Sequence, residues 1–167
     1  MANVSVRYYR RKNSLREKTV GLGKISNDDI GFDEDAMAAA IAALDEMAED
    51  YPDWVAGLID KLSEQHRRCV DSPEQRKSYF EIINSIAHDM RGQGGTFGYQ
   101  LISDFADALY FFTHAQAGMS DNHVEIIKAH VDAMRVVIKN RINGDGGEVG
   151  KELQNGLEAA IKKYSKK

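Results

Sequence analysis

The stretch NSIAHDMRGQGGTFGYQ, residues 84–100, gathers the residue types that could do chemistry in this chain. His88 offers an imidazole nucleophile. Arg91 follows at three residues and Gly92 at four, so on a helix both stand beside the imidazole. Arginine is a permanent cation whose forked donors match phosphate oxygens. Gly92 and Gly95 take side-chain bulk away from the same face, which lets a large partner approach. A glycine costs a helix up to about 1 kcal/mol relative to alanine. Such a conflict with local propensity is expected where function selects the residue. Gly94 and Gly95 could equally do no more than end the helix. An exposed His88 with Arg91 and Gly92 is harder to account for in that way.

The helix that must carry these residues has a clear phase. Tyr79, Ile83, Ile86, Ala87 and Met90 form its apolar stripe. At 100° per residue the opposite side is built from Glu81, Asn84, Ser85, His88 and Arg91, so His88 points away from the core. Ser72 reads as the N-cap, Pro73 as the first helical position and Gln75 as the partner of a capping box. Helix is therefore expected from Pro73 to Met90, stopped by Gly92, Gly94 and Gly95.

The neighbouring segments have the same period. Met37, Ala40, Ile41, Leu44 and Met47 share one face of a helix beginning at Asp33. Tyr51-Pro52 is expected to break that run and start a second helix, with Trp54, Val55, Leu58, Ile59, Leu62 and Cys69 on one side. A fourth helix is expected from about Tyr99 to Ala115, turning Leu101, Phe105, Ala108, Leu109 and Phe112 inward. After the loop QAGMSDN, Asn122 and Glu125 would cap a fifth, about His123–Ile142, striped by Ile127, Val131, Met134, Val137 and Ile138. NGDGG ends it, and a last helix spans about 148–164 with Leu153, Leu157, Ala160, Ile161 and Tyr164. Six helices with short connections become antiparallel neighbours, so the expected class is all-α.

Composition sets the context. A chain of 167 residues suits one domain. Its one cysteine, Cys69, permits no internal disulfide and is expected to be an inert core residue. No apolar run approaches the roughly 20 residues of a membrane span, and the N-terminal charges are not followed by the apolar core of a secretory signal. A cytoplasmic location is expected. Residues 1–25 hold seven Lys/Arg against one Glu, while the remainder holds 15 basic and 25 acidic groups. An acidic body argues against a nucleic-acid partner. Residues 1–32 lack sustained periodicity and read as a basic N-terminal extension.

AHDMRGQGGTFG resembles the signature of histidine-containing phosphotransfer (HPt) domains. That signature runs His, a variable residue, an aliphatic or Met, Lys or Arg, Gly, four variable residues, an apolar residue, then a small one. His88, Met90, Arg91, Gly92, Phe97 and Gly98 fill those places in register. Members are antiparallel four-helix bundles with the histidine on the second bundle helix. The resemblance covers about residues 52–142. It implies a helical bundle domain over 33–167, with an extra N-terminal helix and an extra C-terminal helix around that core.

The function it implies is that of a phosphorelay intermediate. His88 would accept a phosphoryl group from a receiver-domain aspartate and pass it to another receiver. Free imidazole, with a reference pKa of about 6.5, is largely neutral at cellular pH and so can act as the nucleophile. Arg91 would stabilise the charge of the transferred group, since such catalysis is mostly positioning and electrostatics. Asn84, Ser85, Asp89, Gly92 and Gly95 would form the partner-binding surface. Members often offer an amide to the phosphoryl group from the following helix; Gln100 and Asn84 are the amides available. The chain would be a phosphocarrier without kinase or ATPase activity. It would need no cofactor, since Mg²⁺ is expected on the partner alone. The implied partners are receiver domains of hybrid histidine kinases and response regulators, with neither nucleic acid nor membrane. Oligomeric state is left open.

Three rival readings are weighed. HDMR also fits the dimerising phosphoacceptor helix of sensor kinases. In such a helix Asp89 would orient the imidazole or act as a base, but those proteins usually carry a proline five residues after the histidine, and here Gln93 stands there. The residues after His88 read as helices and not as an ATP-binding domain, which leaves a kinase-dead relative. A second rival is a helical binding module whose His88 is never phosphorylated. The third is a metal site on His123, His130 and His114, but the spacing of seven is unlike a helical metal pair. These histidines and His66 are expected at the surface. GQGGTFG is no phosphate-binding loop, because Phe97 stands where a third glycine is required.

Overall fold

Five helices account for nearly all described residues of the computed structural model, which are 34–115 and 119–165. They are α1 (Glu34–Asp71), α2 (Arg76–Arg91), α3 (Gln100–Ala115), α4 (Asp121–Lys139) and α5 (Gly147–Ser165), with a 3-10 turn at Pro73–Gln75. Among the described residues there is no strand. The described residues are all-α, as expected. The basic extension, residues 1–32, lies outside the described residues. The chain divides into two units between Ala40 and Ile41, and the core belongs to the second.

The core lies between the stretch of α1 from Tyr51 onward, α2, α3 and α4. Val55, Leu62, Ile83, Ala87, Met90, Leu101, Leu109, Ile127 and Met134 are fully enclosed. α3 packs along α2 and along α4, and α5 lies on α4. Arg135 of α4 reaches α1, where it meets Asp60 at 3.2 Å and donates to Ser63 Oγ. Leu157 brings α5 to the margin of the core.

The expected break at Tyr51-Pro52 does not occur, and the first two expected helices are one. An interior proline removes one helical hydrogen bond and costs about 3 kcal/mol. Tertiary packing offsets that cost here. Tyr51 is buried and stacks on Phe97, ring centres 4.8 Å apart, while Tyr99 lies 5.5 Å away. Val55, one turn on, is also buried. Aromatic pairs contribute about 0.5–1.5 kcal/mol each beyond their area, and a buried valine about 1.5–3 kcal/mol.

Several faces differ from expectation. Ile41, Leu44 and Met47 are about half exposed, so the stripe upstream of Tyr51 is not core. Trp54, on the side shared with Val55 and Leu62 by its spacing, is 49% exposed. On α3, Ala108 faces solvent, whereas Ile102 and Ala106 are buried beside Leu101, Phe105 and Leu109. The α4 stripe is buried as expected.

Neither expected cap forms. Ser72 makes no capping bond, and the chain turns through Pro73–Gln75 before α2 begins. The Gln75 side chain accepts from the Tyr79 hydroxyl at 2.9 Å instead of reaching back. α4 begins one residue after Ser120, not at Asn122, and the Ser120 hydroxyl meets His123 Nδ1 at 2.6 Å.

The fixture at this end of the helices is Arg76. Its guanidinium donates to the Cys69 carbonyl at 2.8 Å, the Met119 carbonyl at 2.8 Å and Asp121 at 2.6 Å. The exit of α1, the start of α2 and the start of α4 are thereby joined by one buried cation. Cys69 is buried as expected, and burial pushes its thiol up to about 11.

Candidate functional site

α2 ends at Arg91, and Gly92 still has helical dihedrals, φ −82° and ψ −13°. The chain then reverses tightly. Gln93 N–H donates to the Met90 carbonyl at 3.2 Å, and Tyr99 N–H to the Gly94 carbonyl at 2.7 Å. Gly94 is the glycine this turn requires. A Cβ there would lie 2.6 Å from the Tyr99 carbonyl oxygen and 2.8 Å from both Ser103 N and Oγ. Gly98 adopts φ +81°, a left-handed conformation that suits glycine. Its carbonyl accepts from Gly144 N–H at 2.6 Å, tying the α4–α5 turn to this one. Gly92 by contrast has nothing within 4 Å of a Cβ position, and a Cβ on Gly95 would meet only the flexible Gln100 side chain closely.

The phase of α2 is as read from its sequence. Ile83, Ala87 and Met90 are buried, while Ser85, His88, Asp89, Gly92 and Gly95 are exposed. Asn84 and Arg91 are half-buried at the edge facing α3.

Three residues of α3 meet that edge. The Tyr110 ring lies 5.4 Å from the His88 ring, centre to centre. The Arg91 guanidinium carbon sits 4.4 Å over the same ring. Arg91 Nη1 also reaches Asp107 Oδ1 at 3.3 Å. The Asn84 amide donates to the Tyr110 carbonyl and to Thr113 Oγ1, both at 2.9 Å. Two N–H groups are all that such an amide offers, so its donors are spent in clamping α2 to α3. Gln100 donates to Asp104 at 2.8 Å.

Neither Asp107 nor Tyr110 follows from the motif, which stops before α3. Their signal was weak but present: they are three residues apart and both lie off the apolar stripe of their helix. His114 stacks on the far side of the pattern, 5.7 Å from Tyr110.

The other histidines divide differently from expectation. His123 pairs with Ser120 near the surface, but His130 is 1% exposed. Its Nδ1 faces the Ile126 carbonyl at 2.8 Å, and its Nε2 has no hydrogen-bond partner. Donation from Nδ1–H fixes the neutral tautomer, and burial holds the imidazole below its ordinary pKa. Phe112 stacks beside it. At helical spacing its neighbours Ile127, Val131 and Met134 draw it inward. His66 is likewise lowered by burial. No group of three or more His, Cys, Asp or Glu is placed to hold a metal ion among the described residues.

No protein-family model matches the chain, and neither a curated protein nor a solved structure does. Among the described residues no helix is long and apolar enough to cross a membrane. The site's own geometry comprises a solvent-facing imidazole, a guanidinium held beside it by a second helix, and a glycine that leaves the approach open.

Proposed function

We propose that the chain is a phosphorelay intermediate of the histidine phosphotransfer kind, with His88 as the phosphoacceptor. The observation that carries this reading is the exposed His88 ring beside an Arg91 that α3 holds over the shared Tyr110 ring. In the transfer, a neutral imidazole nitrogen gives its lone pair to the phosphorus of an aspartyl phosphate on a receiver domain. The new P–N bond forms as the acyl P–O bond breaks. The aspartate leaves as a carboxylate with the electron pair, and the imidazole keeps its proton on the other nitrogen. Arg91 stabilises the dispersed charge of the moving group. The reverse step delivers the group to a second receiver. The chain acts as a carrier, and Mg²⁺ belongs to the receivers.

On this reading α1 from Tyr51 onward, α2, α3 and α4 are the antiparallel four-helix bundle of the family, with His88 on its second member. The shared core of those four segments supports it. α5 and the first turns of α1 are the additions. Ser85, Asp89, Gly92 and Gly95, all exposed, form the face a receiver meets.

The test is transfer of radiolabelled phosphoryl from a panel of phosphorylated receiver domains. Wild-type protein should gain an acid-labile, base-stable label, and His88→Gln should gain none. Labelling that persists in His88→Gln, or wild type that stays unlabelled across the panel, overturns the proposal.

A further inference from the structure

The pairing of Arg91 raises a question for the relay. A residue meant to bind phosphate is already in contact with a carboxylate, Asp107 Oδ1 at 3.3 Å. Asp107 comes from α3 and so is fixed independently of the His88 helix. One turn further along α3, Tyr110 lies under the Arg91 guanidinium at 4.4 Å and beside the His88 ring, tilted at 49° to it, at 5.4 Å. The Tyr110 backbone is itself pinned, because its carbonyl accepts from Asn84. The neighbouring carboxylate of α3, Asp104, is taken up by Gln100 at 2.8 Å. Arg91 therefore has one resting anionic partner across the helix interface and one aromatic platform shared with the nucleophile.

We propose that Asp107 is a resting counter-ion that a phosphoryl group on His88 displaces, with Tyr110 as the platform on which Arg91 moves from one anion to the other. This rests on the phosphoacceptor reading of His88. A guanidinium has five donors in one plane, so it can be turned from a carboxylate to a phosphate while its face stays over the ring. The pair is half exposed, with side-chain accessibilities of 33% for Arg91 and 49% for Asp107, and such pairs are weak enough to exchange. The phosphoryl group carries more negative charge than the carboxylate, so it wins the exchange. Phosphorylation then leaves Asp107 without its cation, close to a second anion. That repulsion keeps phospho-His88 high in energy and ready to donate. Asp107 and Tyr110 are positioning residues in this account, since they act through Arg91.

The consequence is specific in sign. Removing the Asp107 charge should favour phospho-His88, although it deletes an ion pair. Phosphoramidate supplies a phosphorylation that needs no receiver. The imidazole lone pair attacks its phosphorus, the P–N bond to the amine breaks, and ammonia leaves. Wild type, Asp107→Asn, Asp107→Glu and Tyr110→Leu are phosphorylated in this way, and the lifetime of the His88 label is followed by ³¹P NMR, with His88→Gln as the blank.

Asp107→Asn should lengthen the lifetime about three- to tenfold, and the gain should shrink as salt is raised. Asp107→Glu should return to wild type. Tyr110→Leu should shorten the lifetime by a similar factor, with helix content retained by circular dichroism. An Asp107→Asn lifetime equal to or shorter than wild type overturns the inference, as does a gain indifferent to salt. If His88 takes no label from phosphoramidate, the inference falls together with the phosphoacceptor reading. If the lifetimes behave as expected but no receiver ever transfers to His88, the relay alone falls and the Arg91 exchange stands.

Discussion

Two glycines two residues apart should answer a substitution in opposite ways. At Gly94 an alanine Cβ would sit 2.6 Å from the Tyr99 carbonyl oxygen and 2.8 Å from Ser103 N. Both are backbone atoms at the start of α3, so the turn has to open. Forced contacts of this sort cost about 1–3 kcal/mol. Loss of backbone freedom in the unfolded chain returns about 0.4–1 kcal/mol. Gly94→Ala should therefore lose roughly 1–2 kcal/mol. At Gly92 the backbone is helical and nothing lies within 4 Å of the new methyl. There only the unfolded-state term acts, and Gly92→Ala should gain about 0.4–1 kcal/mol. The two variants should differ by about 1.4–3 kcal/mol. With an m-value of about 2 kcal/mol/M, their urea midpoints should separate by about 0.7–1.5 M. Function should run the other way. Gly92→Gln should fold as well as wild type yet accept phosphoryl from a receiver at least tenfold more slowly, about 1.4 kcal/mol of lost approach. Gly92→Ala less stable than wild type would refute the reading of Gly92 as a residue kept for access. So would unimpaired transfer to Gly92→Gln.

Three further substitutions probe the frame around the site. Arg76→Ala removes the buried cation that serves two carbonyls and Asp121; it should lower unfolding free energy by about 2–3 kcal/mol, and a loss under 0.5 kcal/mol would show that the carbonyls find other donors. Asn84→Ala should lose about 1–2 kcal/mol in urea melts while phosphoryl transfer to His88 stays within about twofold of wild type, because its amide serves α3. His130 is held below its ordinary pKa by burial, so the unfolded chain takes up a proton that the folded chain refuses. Stability is then full above about pH 6.5 and falls as pH drops toward the lower folded value, by at most about 1.4 kcal/mol per pH unit from this group. His130→Leu should flatten urea midpoints measured between pH 7 and 5, leaving the slope from His66, and an unchanged slope would discount His130.

The phase of α2 was legible because one helix face of this sequence is unambiguous: Ile83, Ala87 and Met90 fix it, and His88 follows. The stripe of α4 was legible for the same reason. What failed did so through tertiary packing. Pro52 is a strong local signal to stop, but the packing of the Tyr51 ring against Phe97 and Tyr99, more than forty residues away in sequence, overrides it. The helical period of 37–47 gave a face but not a partner for it, and that face is half exposed. Capping residues were present at Ser72 and Asn122, yet a 3-10 turn and an earlier helix start took their place. Within the site, His88, Arg91 and Gly92 came from spacing on one helix. Asp107 and Tyr110 did not, because no local pattern states which residues of a second helix will lie opposite.

That second helix explains how an arginine at the surface comes to favour one place. Ordering a free arginine costs about 2 kcal/mol of rotamer freedom. A partly exposed cation–π contact returns about 0.5–1 kcal/mol, and a half-exposed ion pair such as Arg91–Asp107 about 0.2–1 kcal/mol. The gains and the cost nearly cancel, so Arg91 is biased toward the Tyr110 face without being locked there. A locked arginine would resist giving up its carboxylate, and a free one would carry the full ordering cost into every phosphoryl transfer. Asn84 serves the helix pairing by a different route. It spends its amide on the Tyr110 carbonyl and Thr113 Oγ1, which holds the α3 backbone to α2 and leaves the guanidinium to its own contacts with the Tyr110 ring and Asp107. The rigid element and the movable one thus come from the same two helices, and mutations should separate them: Asn84 through unfolding, Asp107 through the lifetime of the phosphorylated imidazole.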